Sequence, residues 1–511
     1  NVEETLLVKD FEVVGNTLLP AALLARELAP FKGNATLQRL RDAAAAVQDV
    51  YRRVGFGGVV AFLPEQKPAE GVVRVRVVEG RLGRVELVDN NQFSSDNIRA
   101  SLPGLVPGST PNVRLIDAQI QIANENPAKT VQVLLQPGTE PATVVARVTV
   151  AEQPVSRFNT RLDNTGSERT GRWRAALGWQ HANVAGLDQV FSAEFQTAPD
   201  QPKAVAVASG AWRVPLYARA MAMDFYGAWS DVDAGKAGTA AGELQFSGRG
   251  TIAGVRATHY LPRVANVDQR VSLGIELRDY RNHCAIDGLP QGACGAAGAS
   301  VAVQPLGLQY IAQTVGEIRA GVSFGVQHNL GFGLAHSSAD DFGAVRPGAQ
   351  RGYTVWRASG NAALDWPAAG SLALRTAAQY SSRALVTGES FGLGGAQSVR
   401  GYEERELGGD SGVQATVEFA SPNVATSMNR LGLQQADLRW LVFGDAGWIA
   451  NRQADDCLPG RSRCHVAAIG VGLRLSWQQL QVRLDLAHAL SNAVSTVHGD
   501  RRAHFGLAYG F

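Results

Sequence analysis

From about Ser156 onward, apolar and polar residues alternate along nearly every extended stretch of the sequence. Successive side chains of a β-strand point to opposite faces, so this period of two predicts strands with one apolar and one polar face. The polar face repeatedly carries arginines and carboxylates, whereas the apolar face is almost uncharged. Clear examples are GRWRAALGWQ at 171–180, RVSLGIELRD at 270–279 and QLQVRLDLAH at 479–488.

Soluble β-sandwiches alternate as well, so the period alone does not identify the class of protein. Two features of residues 155–511 favour a transmembrane antiparallel β-barrel. Charged residues on the inner face suit a water-filled lumen, and the strand-like segments number about sixteen, an even number as in bacterial outer-membrane barrels. The segments are also long enough, because a tilted spanning strand needs about 9–11 residues.

The final segment, RAHFGLAYGF, alternates and ends on an aromatic residue. It resembles the C-terminal recognition signal of outer-membrane barrels. The residues that would form this signal are Phe505, Leu507, Tyr509 and Phe511. The resemblance implies outer-membrane lipid around the barrel and insertion by the barrel-assembly machinery.

Residues from about 6 to 152 follow a different pattern, in which strand-like and helical segments alternate. A strand-helix-helix-strand-strand order occurs twice with a period of roughly 75 residues, which indicates an internal duplication. The order and length resemble those of POTRA domains, the periplasmic modules that precede certain outer-membrane barrels. We therefore predict two periplasmic α/β POTRA domains, at 1–80 and 81–154.

The stretch QSVRGYEERELGGDSG at 397–412 gathers six charged residues in a chain of which only 18% is charged. It follows the eleventh predicted strand, so it is expected to form the sixth outward-side loop. An arginine held in a partly desolvated lumen needs a paired carboxylate. In the strand-like segment DLRWLVFGDAGWI, Asp445 falls on the inward face, and we expect a two-point ion pair between Arg400 and Asp445. The alternative partners for Arg400 within the loop are Glu403, Glu404 and Asp410.

Two short motifs carry a family resemblance. V-R-G-Y consists of Val399, Arg400, Gly401 and Tyr402, and F-x-D-x-G consists of Phe443, Asp445 and Gly447. They resemble the loop and wall signatures of the outer-membrane insertase and translocase superfamily, in which this loop folds back into the lumen. The resemblance implies that loop 6 (384–411) lies inside a barrel formed by 155–511. With two POTRA-like units and about sixteen strands, the chain resembles the two-partner secretion transporters, the TpsB family.

Membership of that family implies export of a large TpsA exoprotein, such as a haemolysin, an adhesin or a contact-dependent inhibition toxin. POTRA domains would recognise the client in the periplasm, and a monomeric barrel would pass it to the cell surface. Exposed sheet edges can pair with an extended client chain through main-chain hydrogen bonds. VVRVRVVEG at 72–80 and TVQVLLQPG at 130–138 are candidates for such edges, although both also suit ordinary sheet strands. No GxxxxGK[ST] loop is present, so we expect transport without nucleotide.

Three other functions compete with export. An insertase that assembles other barrels shares V-R-G-Y but typically has a longer series of POTRA domains, and a passive porin has no need of the duplicated α/β units. GESFG at 388–392 matches the G-x-S-x-G nucleophile elbow of hydrolases. That elbow needs a helix after Ser390, which LGGAQSVRGY does not provide. We expect neither an enzyme nor a cofactor.

The four cysteines form two close pairs, each in a Gly/Pro/polar stretch: Cys284 with Cys294, and Cys457 with Cys464. This spacing predicts two loop-local disulfides in an oxidising compartment. A metal site that used Cys457, Cys464 and His465 would fit no standard zinc spacing. The net charge is +2 with basic residues spread along the chain, which excludes an evident nucleic-acid surface.

The sequence opens on NVEETLLVKD, without the basic and apolar regions of a signal peptide, so we interpret it as a mature chain. Members of the TpsB family usually have a plug helix and a linker ahead of the first POTRA domain. The first predicted strand begins a few residues after Asn1 and leaves no room for them. Loop closure of the channel is therefore one expectation, and a trimmed N-terminus is the other.

Overall fold

The computed structural model describes residues 5–68, 70–168, 170–231, 235–239, 242–246, 249–281, 299–316, 318–425, 435–452 and 456–511. Its contacts divide the chain into two compact units. Unit 1 contains 1–154 with the short segments 186–188 and 216–221, and unit 2 contains the remainder. Among the described residues, no helix combines the length and the apolar character needed to cross a bilayer.

The first repeat of unit 1 is a small sheet packed against helices. Its elements are β1 (Leu6–Val8), β2 (Asp10–Val14), α1 (Ala21–Leu28), β3 (Gly33–Ala35), α2 (Leu37–Arg53), β4 (Val59–Phe62) and β5 (Val72–Glu79). The sheet order is β2–β5–β4, with β5 parallel to β2 and antiparallel to β4. Thr36 caps α2 by accepting a hydrogen bond from the Arg39 N–H. The apolar face of α2, which includes Val47 and Tyr51, is buried in the core of this repeat.

The second repeat has the same order of elements apart from β1 and β3, which form a separate two-stranded sheet in the first repeat. Its elements are β6 (Arg81–Val88), α3 (Ser95–Ser101), α4 (Val113–Asn124), β7 (Lys129–Pro137) and β8 (Thr143–Glu152). Its sheet order, β6–β8–β7, matches that of the first repeat. A glutamate at the end of the last strand has the same role in both. Glu79 accepts the N–H groups of Thr17 and Leu18, and Glu152 accepts those of residues 91–93, at 2.7 to 3.1 Å.

The sheet orders correct one expectation about the edges. VVRVRVVEG at 72–80 forms β5, which lies in the centre of its sheet because it pairs with β2 as well as with β4. It therefore offers no free edge, and the edge strands of the first repeat are β2 and β4. TVQVLLQPG at 130–138 forms most of β7, which does lie at a sheet edge.

Unit 2 is built almost entirely of strands. In chain order its elements are β9 (Ser156–Asp163), β10 (Arg174–Val184), β11 (Gln189–Thr197), β12 (Ala206–Leu216), β13 (Met221–Asp231), β14 (Gly235–Thr239), β15 (Gly242–Phe246), β16 (Arg249–Val264), β17 (Val267–Arg281), β18 (Val301–Val303), β19 (Pro305–Thr314), β20 (Arg319–Asn329), α5 (Ala339–Val345), β21 (Thr354–Trp366), β22 (Gly370–Ser381), β23 (Phe391–Leu393), β24 (Leu407–Gly409), β25 (Ser411–Ala420), β26 (Asp437–Ala450), β27 (Arg463–Trp477), β28 (Leu480–Ala489) and β29 (Arg501–Gly510).

In the part of the chain that the structure describes, sixteen of these strands form a closed antiparallel barrel. The short β18 also pairs with β17, beside β19. The hairpins β14–β15 and β23–β24 are separate two-stranded sheets. Pairing of β29 with β9, from Gly506 opposite Asp163 to Gly510 opposite Asn159, closes the ring. The predicted β-barrel is therefore confirmed.

The two faces of the barrel reverse the burial pattern of a soluble protein. Leu273 and Leu486 point outward and are 52% and 53% exposed, whereas Asp485 points inward and is fully buried. Apolar residues are normally the buried class in water-soluble domains. An apolar outer face around a charged interior suits a barrel surrounded by lipid.

The apolar and aromatic side chains of the final strand contact the first strand of the barrel and its neighbours. The Phe511 ring stacks on Phe158 with centroids 5.6 Å apart, and the two residues exchange backbone hydrogen bonds of 2.8 and 2.9 Å. The Phe505 ring meets Trp173 at 5.9 Å. Phe511 is 61% exposed. These contacts extend the seam between β29 and β9 past the end of the paired strands.

Of the two predicted disulfides, one lies in the described part of the chain. Cys457, in the segment between β26 and β27, is joined by a disulfide to Cys464, the second residue of β27. Their sulfur atoms are bonded to each other, which excludes the alternative metal site with His465. Cys284 and Cys294 lie outside the described residues, so their pairing stays a prediction.

Candidate functional site

Loop 6 occupies the lumen of the barrel. Between β22 and β25 the chain turns inward and contacts inward-facing side chains of β17, β25, β26 and β29. Tight turns in the loop depend on glycine, because positive φ angles strain other residues. The glycines with such angles are Gly394 at 105°, Gly395 at 103° and Gly401 at 95°. Within the V-R-G-Y motif, Val399, Arg400 and Tyr402 are at most 1% exposed.

Arg400 forms a two-point ion pair with Asp445. Its Nε donates to Asp445 Oδ2 at 2.7 Å and its Nη2 donates to Oδ1 at 2.8 Å. The Arg400 backbone N–H also donates to Oδ2, at 3.0 Å. Both side chains are buried, at 1% and 0% exposure. The pair therefore ties the loop to the wall through both main-chain and side-chain bonds.

Two further carboxylates of the described residues lie near the Arg400 guanidinium. Glu418 Oε1 is 2.6 Å from Nη1, and Asp485 Oδ1 is 3.6 Å from it. Asp485 is in turn held by Arg474 at 2.8 Å and by Arg483 at 2.6 Å. Glu418 also lies 3.2 Å from the partly exposed Arg375. Each of the three carboxylates is therefore paired with at least one guanidinium group.

Glu418 and Asp485 were not predicted as partners of Arg400. Both residues lie on the inward faces of their strands, β25 and β28, and Glu418 is directly opposite Phe443 in the β25–β26 register. The signal that could have found them is the set of carboxylates at inward positions on the strands within two places of β26.

The other residues of the wall motif make space for the loop and cover its arginine. The Phe443 ring lies under the Arg400 guanidinium, with the ring centroid 3.3 Å from its central carbon. A Cβ at Gly447 would lie 2.6 Å from a Leu393 methyl, so Gly447 leaves room for that loop side chain. A Cβ at Gly470 would collide with the Phe443 ring. Gly447 thus accommodates a side chain of the loop, and Gly470 accommodates the Phe443 ring that covers Arg400.

The last two residues of V-R-G-Y fasten the loop to the final strands of the barrel. The Gly401 N–H donates to His504 Nε2 at 3.1 Å. The Tyr402 hydroxyl lies 2.9 Å from the carbonyl oxygens of Ala467 and Ser491. Val399 and Tyr402 also belong to a buried apolar cluster that includes Cys457, Cys464 and Ile449. The disulfide-bonded segment therefore packs against the tip of loop 6.

The loop carboxylates that were alternative partners for Arg400 bind other groups. Glu403 pairs with Arg502 at 3.3 Å, and Glu404 accepts the Ala396 N–H at 2.7 Å. Asp410 forms two hydrogen bonds with Arg346, at 2.7 and 3.0 Å. Glu406 accepts the N–H groups of Ser495 and Thr496, each at 2.7 Å. Most charges of loop 6 thus attach it to the barrel and its outer loops, and Glu404 binds within the loop.

This arrangement fastens a segment inside a channel. Removing one partner of a buried ion pair typically costs about 3–5 kcal/mol, because the other charge stays buried without compensation. The Arg400–Asp445 pair is therefore a strong single attachment of loop 6 to the barrel wall.

Comparison with known proteins agrees with this geometry. The family model for "Haemolysin secretion/activation protein ShlB/FhaC/HecB" matches residues 143–475, and the model for "POTRA domain, ShlB-type" matches residues 6–80. The outer membrane transporter CdiB of Escherichia coli O6:K15:H31 (strain 536 / UPEC) is 26% identical over 463 residues, which cover 87% of this chain and 72% of that protein.

Two solved structures show the same fold. CdiB from Escherichia coli has a TM-score of 0.78 at 19% identity, covering 99% of this chain and 91% of that chain. CdiB from Acinetobacter baumannii has a TM-score of 0.73 at 15% identity, covering 99% and 90%.

The first family match covers well over half of the chain. With the closed barrel and the POTRA match, it locates the protein in the bacterial outer membrane, with its POTRA repeats in the periplasm. The chain belongs to the haemolysin secretion/activation protein family ShlB/FhaC/HecB and is an outer-membrane transporter of two-partner secretion.

Proposed function

We propose that this transporter exports a large TpsA-type exoprotein, a haemolysin, an adhesin or a contact-dependent inhibition toxin, from the periplasm to the cell surface. The observation that supports this most directly is loop 6, which is held in the lumen by the buried Arg400–Asp445 pair. A barrel that only admitted small solutes would have little use for a movable segment in its channel. A channel for a polypeptide needs one, since it must be closed at rest and wide during passage.

The lumen suits an unfolded client. Its wall presents arginines, carboxylates and amides, among them Arg256, Gln309 and Gln327 around a cavity of about 490 Å³ beside loop 6. Polar walls give apolar client side chains few contacts, so the chain slides without adhering. Folding of the client outside the cell prevents its return, and we propose that this supplies the direction of transport without nucleotide.

Client recognition is proposed to occur at the free sheet edges of the POTRA repeats. In the described structure β7 is an edge strand, and so is β4, on which Val60 is 52% and Phe62 41% exposed. Unpaired edge strands present N–H and C=O groups that an extended client can pair with. Main-chain pairing of this kind tolerates many client sequences.

We propose domain boundaries at 80/81 and 154/155. The first is supported by the change of sheet between Glu79 and Arg81.

The remaining partners are proposed from the family. Lipid surrounds the outer face, the protein acts as a monomer, and the barrel-assembly machinery inserts it by recognising β29. The recognised residues are proposed to be Phe505, Leu507, Tyr509 and Phe511. No nucleic acid, cofactor or metal takes part.

We assign no catalytic role to the G-x-S-x-G match. The Ser390 hydroxyl donates to the Thr387 carbonyl at 2.7 Å, and Phe391–Leu393 after it is a strand. A nucleophile elbow requires a helix at that point. The local fold therefore supports a structural role for this segment.

Deletion of the gene in the native bacterium tests the proposal. Surface and culture-supernatant proteins are compared by mass spectrometry before and after deletion. Loss of one large exoprotein, restored by the wild-type gene but not by Arg400→Ala, is the expected result. A broad loss of barrel proteins from the outer membrane would support the alternative, an insertase of the same superfamily. An unchanged set of proteins would contradict both functions.

A further inference from the structure

Loop 6 has a second buried attachment, at Glu389. One Nη atom of Arg278 lies 2.7 and 2.9 Å from the two carboxylate oxygens of Glu389, and the Tyr280 hydroxyl donates to Oε1 at 3.0 Å. A second guanidinium, that of Arg357, lies 3.6 Å from Oε2. The Glu389 side chain is 1% exposed. A carboxylate this deeply buried is stable as an ion only because these partners surround it.

The segment around Glu389 is shaped to reach this position. A Cβ at Gly388 would collide with the Tyr280 ring, so only glycine lets the backbone approach the wall this closely. The Glu389 carbonyl accepts a hydrogen bond from the Gln379 side chain at 2.9 Å. The GESFG sequence that resembles a hydrolase motif is therefore a docking turn for a buried glutamate.

The Glu389 and Arg400 attachments involve different strands of the wall. Arg278 and Tyr280 belong to β17, whereas the Arg400 network belongs to β25–β28. In the ring of sixteen described strands, β26, which carries Asp445, is six positions from β17. Loop 6 thus spans part of the lumen between two separate places on the wall.

The chain between the two attachments can bend. Gly394 and Gly395 lie between Glu389 and Arg400, and both have left-handed φ angles. The cavity of about 490 Å³ borders the Glu389 side of this span. Its lining includes Arg256, Glu276, Arg278, Arg357, Ser390 and Arg405. If the Glu389 side were released, the 388–398 segment would swing about the two glycines while Arg400 stayed bound to Asp445.

We propose that Glu389 is a positioning residue that acts as a second latch. By binding Arg278 and Tyr280 it holds the 388–398 segment in the lumen and keeps the adjoining cavity from becoming a continuous pore. The latch adds a closing device to the proposed export function. It depends on that proposal only for the identity of the molecule that passes through the channel. The Arg400 attachment sets where the loop is anchored, and the Glu389 attachment sets how wide the channel is.

Single-channel conductance of the purified full chain in planar lipid bilayers tests the latch. Glu389→Gln and Arg278→Gln remove the ion pair from either side, and the double variant removes both partners. Each single variant should raise the mean conductance at least about twofold, because loss of a buried charge pair strongly shifts a closed-to-open equilibrium. The double variant should equal the single variants, since the latch is already broken in each.

The matched control is Glu403→Gln, which removes one carboxylate from the same loop but disrupts only the partly exposed pair with Arg502. Its conductance should equal that of the wild type. Heat-modifiable migration in SDS gels verifies a folded barrel. If neither ion-pair variant folds, Tyr280→Phe replaces them, since it removes only the hydroxyl that donates to Glu389.

Wild-type conductance in Glu389→Gln and Arg278→Gln, or in Tyr280→Phe where that variant is used, would overturn the latch. Additive increases in the double variant would also overturn it, since they would mean two independent effects of charge. The assay contains no client, so its result is independent of export. Raised conductance together with a lack of export in cells would keep the latch and refute the proposed function.

Discussion

Gly447 lies directly beneath the Leu393 side chain, at a point where a Cβ would be 2.6 Å from a Leu393 methyl group. Leu393 is fully buried in the apolar cluster of loop 6. The last residue of the F-x-D-x-G motif thus receives a side chain of the loop. The wall motif therefore complements the loop in shape as well as in charge.

Gly447→Ala should loosen loop 6 by about 1–3 kcal/mol, the usual cost of an inserted methyl group in a packed core. Trypsin cleavage after Arg405 in the purified protein measures the loosening. Gly444→Ala on the same strand is the control, because a Cβ there meets no atom within 4 Å. Adding Leu393→Ala to Gly447→Ala should restore resistance to trypsin. Equal cleavage of the two glycine variants would contradict the packing argument.

Arg400→Ala and Asp445→Ala should each impair export while the barrel stays inserted, since the pair fastens the loop and takes no part in the β ladder. Loss of either partner costs about 3–5 kcal/mol of loop docking. Secreted client is measured against the amount of heat-modifiable barrel in the outer membrane. Arg439→Ala, which disrupts only the partly exposed pair with Asp437, should export normally. Wild-type secretion from both motif variants would show that the pair is dispensable.

The stability of the first repeat should depend on pH because of Glu79. Burial raises its pKa, but hydrogen bonds from Thr17, Leu18 and Tyr51 outweigh burial, so its pKa lies below the ordinary 4.5. Burial beside Glu79 also raises the pKa of Tyr51, which keeps its hydroxyl a donor. A carboxyl with a lowered folded pKa contributes stability above its unfolded pKa. That stability is lost as the pH falls from 4.5 through the folded value.

Glu79→Gln should therefore cost about 1.5–3 kcal/mol near neutral pH, the usual contribution of a hydrogen bond to a charged group, and should flatten the acid limb of the stability profile. Urea unfolding followed by circular dichroism at 222 nm measures this, since helices α1–α4 all lie in unit 1. Glu86→Gln, which alters only a solvent-exposed pair with Arg84, is the control. If the unfolding free energy of Glu79→Gln fell with pH in parallel with that of the wild type, Glu79 would not be the source of the pH dependence.

Alkylation before and after reduction should show that all four cysteines are oxidised. Peptide mapping should recover Cys457 linked to Cys464 and Cys284 linked to Cys294. The first pair packs against loop 6, so its double serine variant should also increase trypsin cleavage after Arg405. A free thiol at Cys284 or Cys294 would show that the second predicted disulfide is wrong.

Alternation was sufficient to predict the barrel because each strand is apolar on one face only. The alternation of faces along β26 also predicted that Asp445 points inward, and the Arg400–Asp445 contact is present in the structure. Glu418 and Asp485 were missed because their distance from Arg400 depends on how their strands are aligned with β26. Those registers follow from hydrogen bonding between segments far apart in the sequence.

The same limit explains two other differences. β5 alternates as an edge strand would, but its parallel pairing with β2 across two helices puts it in the centre of its sheet. Glu389 lies in a segment that resembles a hydrolase turn, and its actual partner, Arg278, precedes it by 111 residues. Local pattern identifies strands and faces, whereas neighbours in space depend on the topology.

The seam between β9 and β29 has a consequence for biogenesis. β9 is the first barrel strand in the order of translation and β29 the last, and their hydrogen bonds need residues 506–510. The ribosome delivers those residues only after every other strand has been made. The barrel therefore cannot close before residues 506–510 have been made, and until then the peptide groups of β9 that pair with them are without these partners.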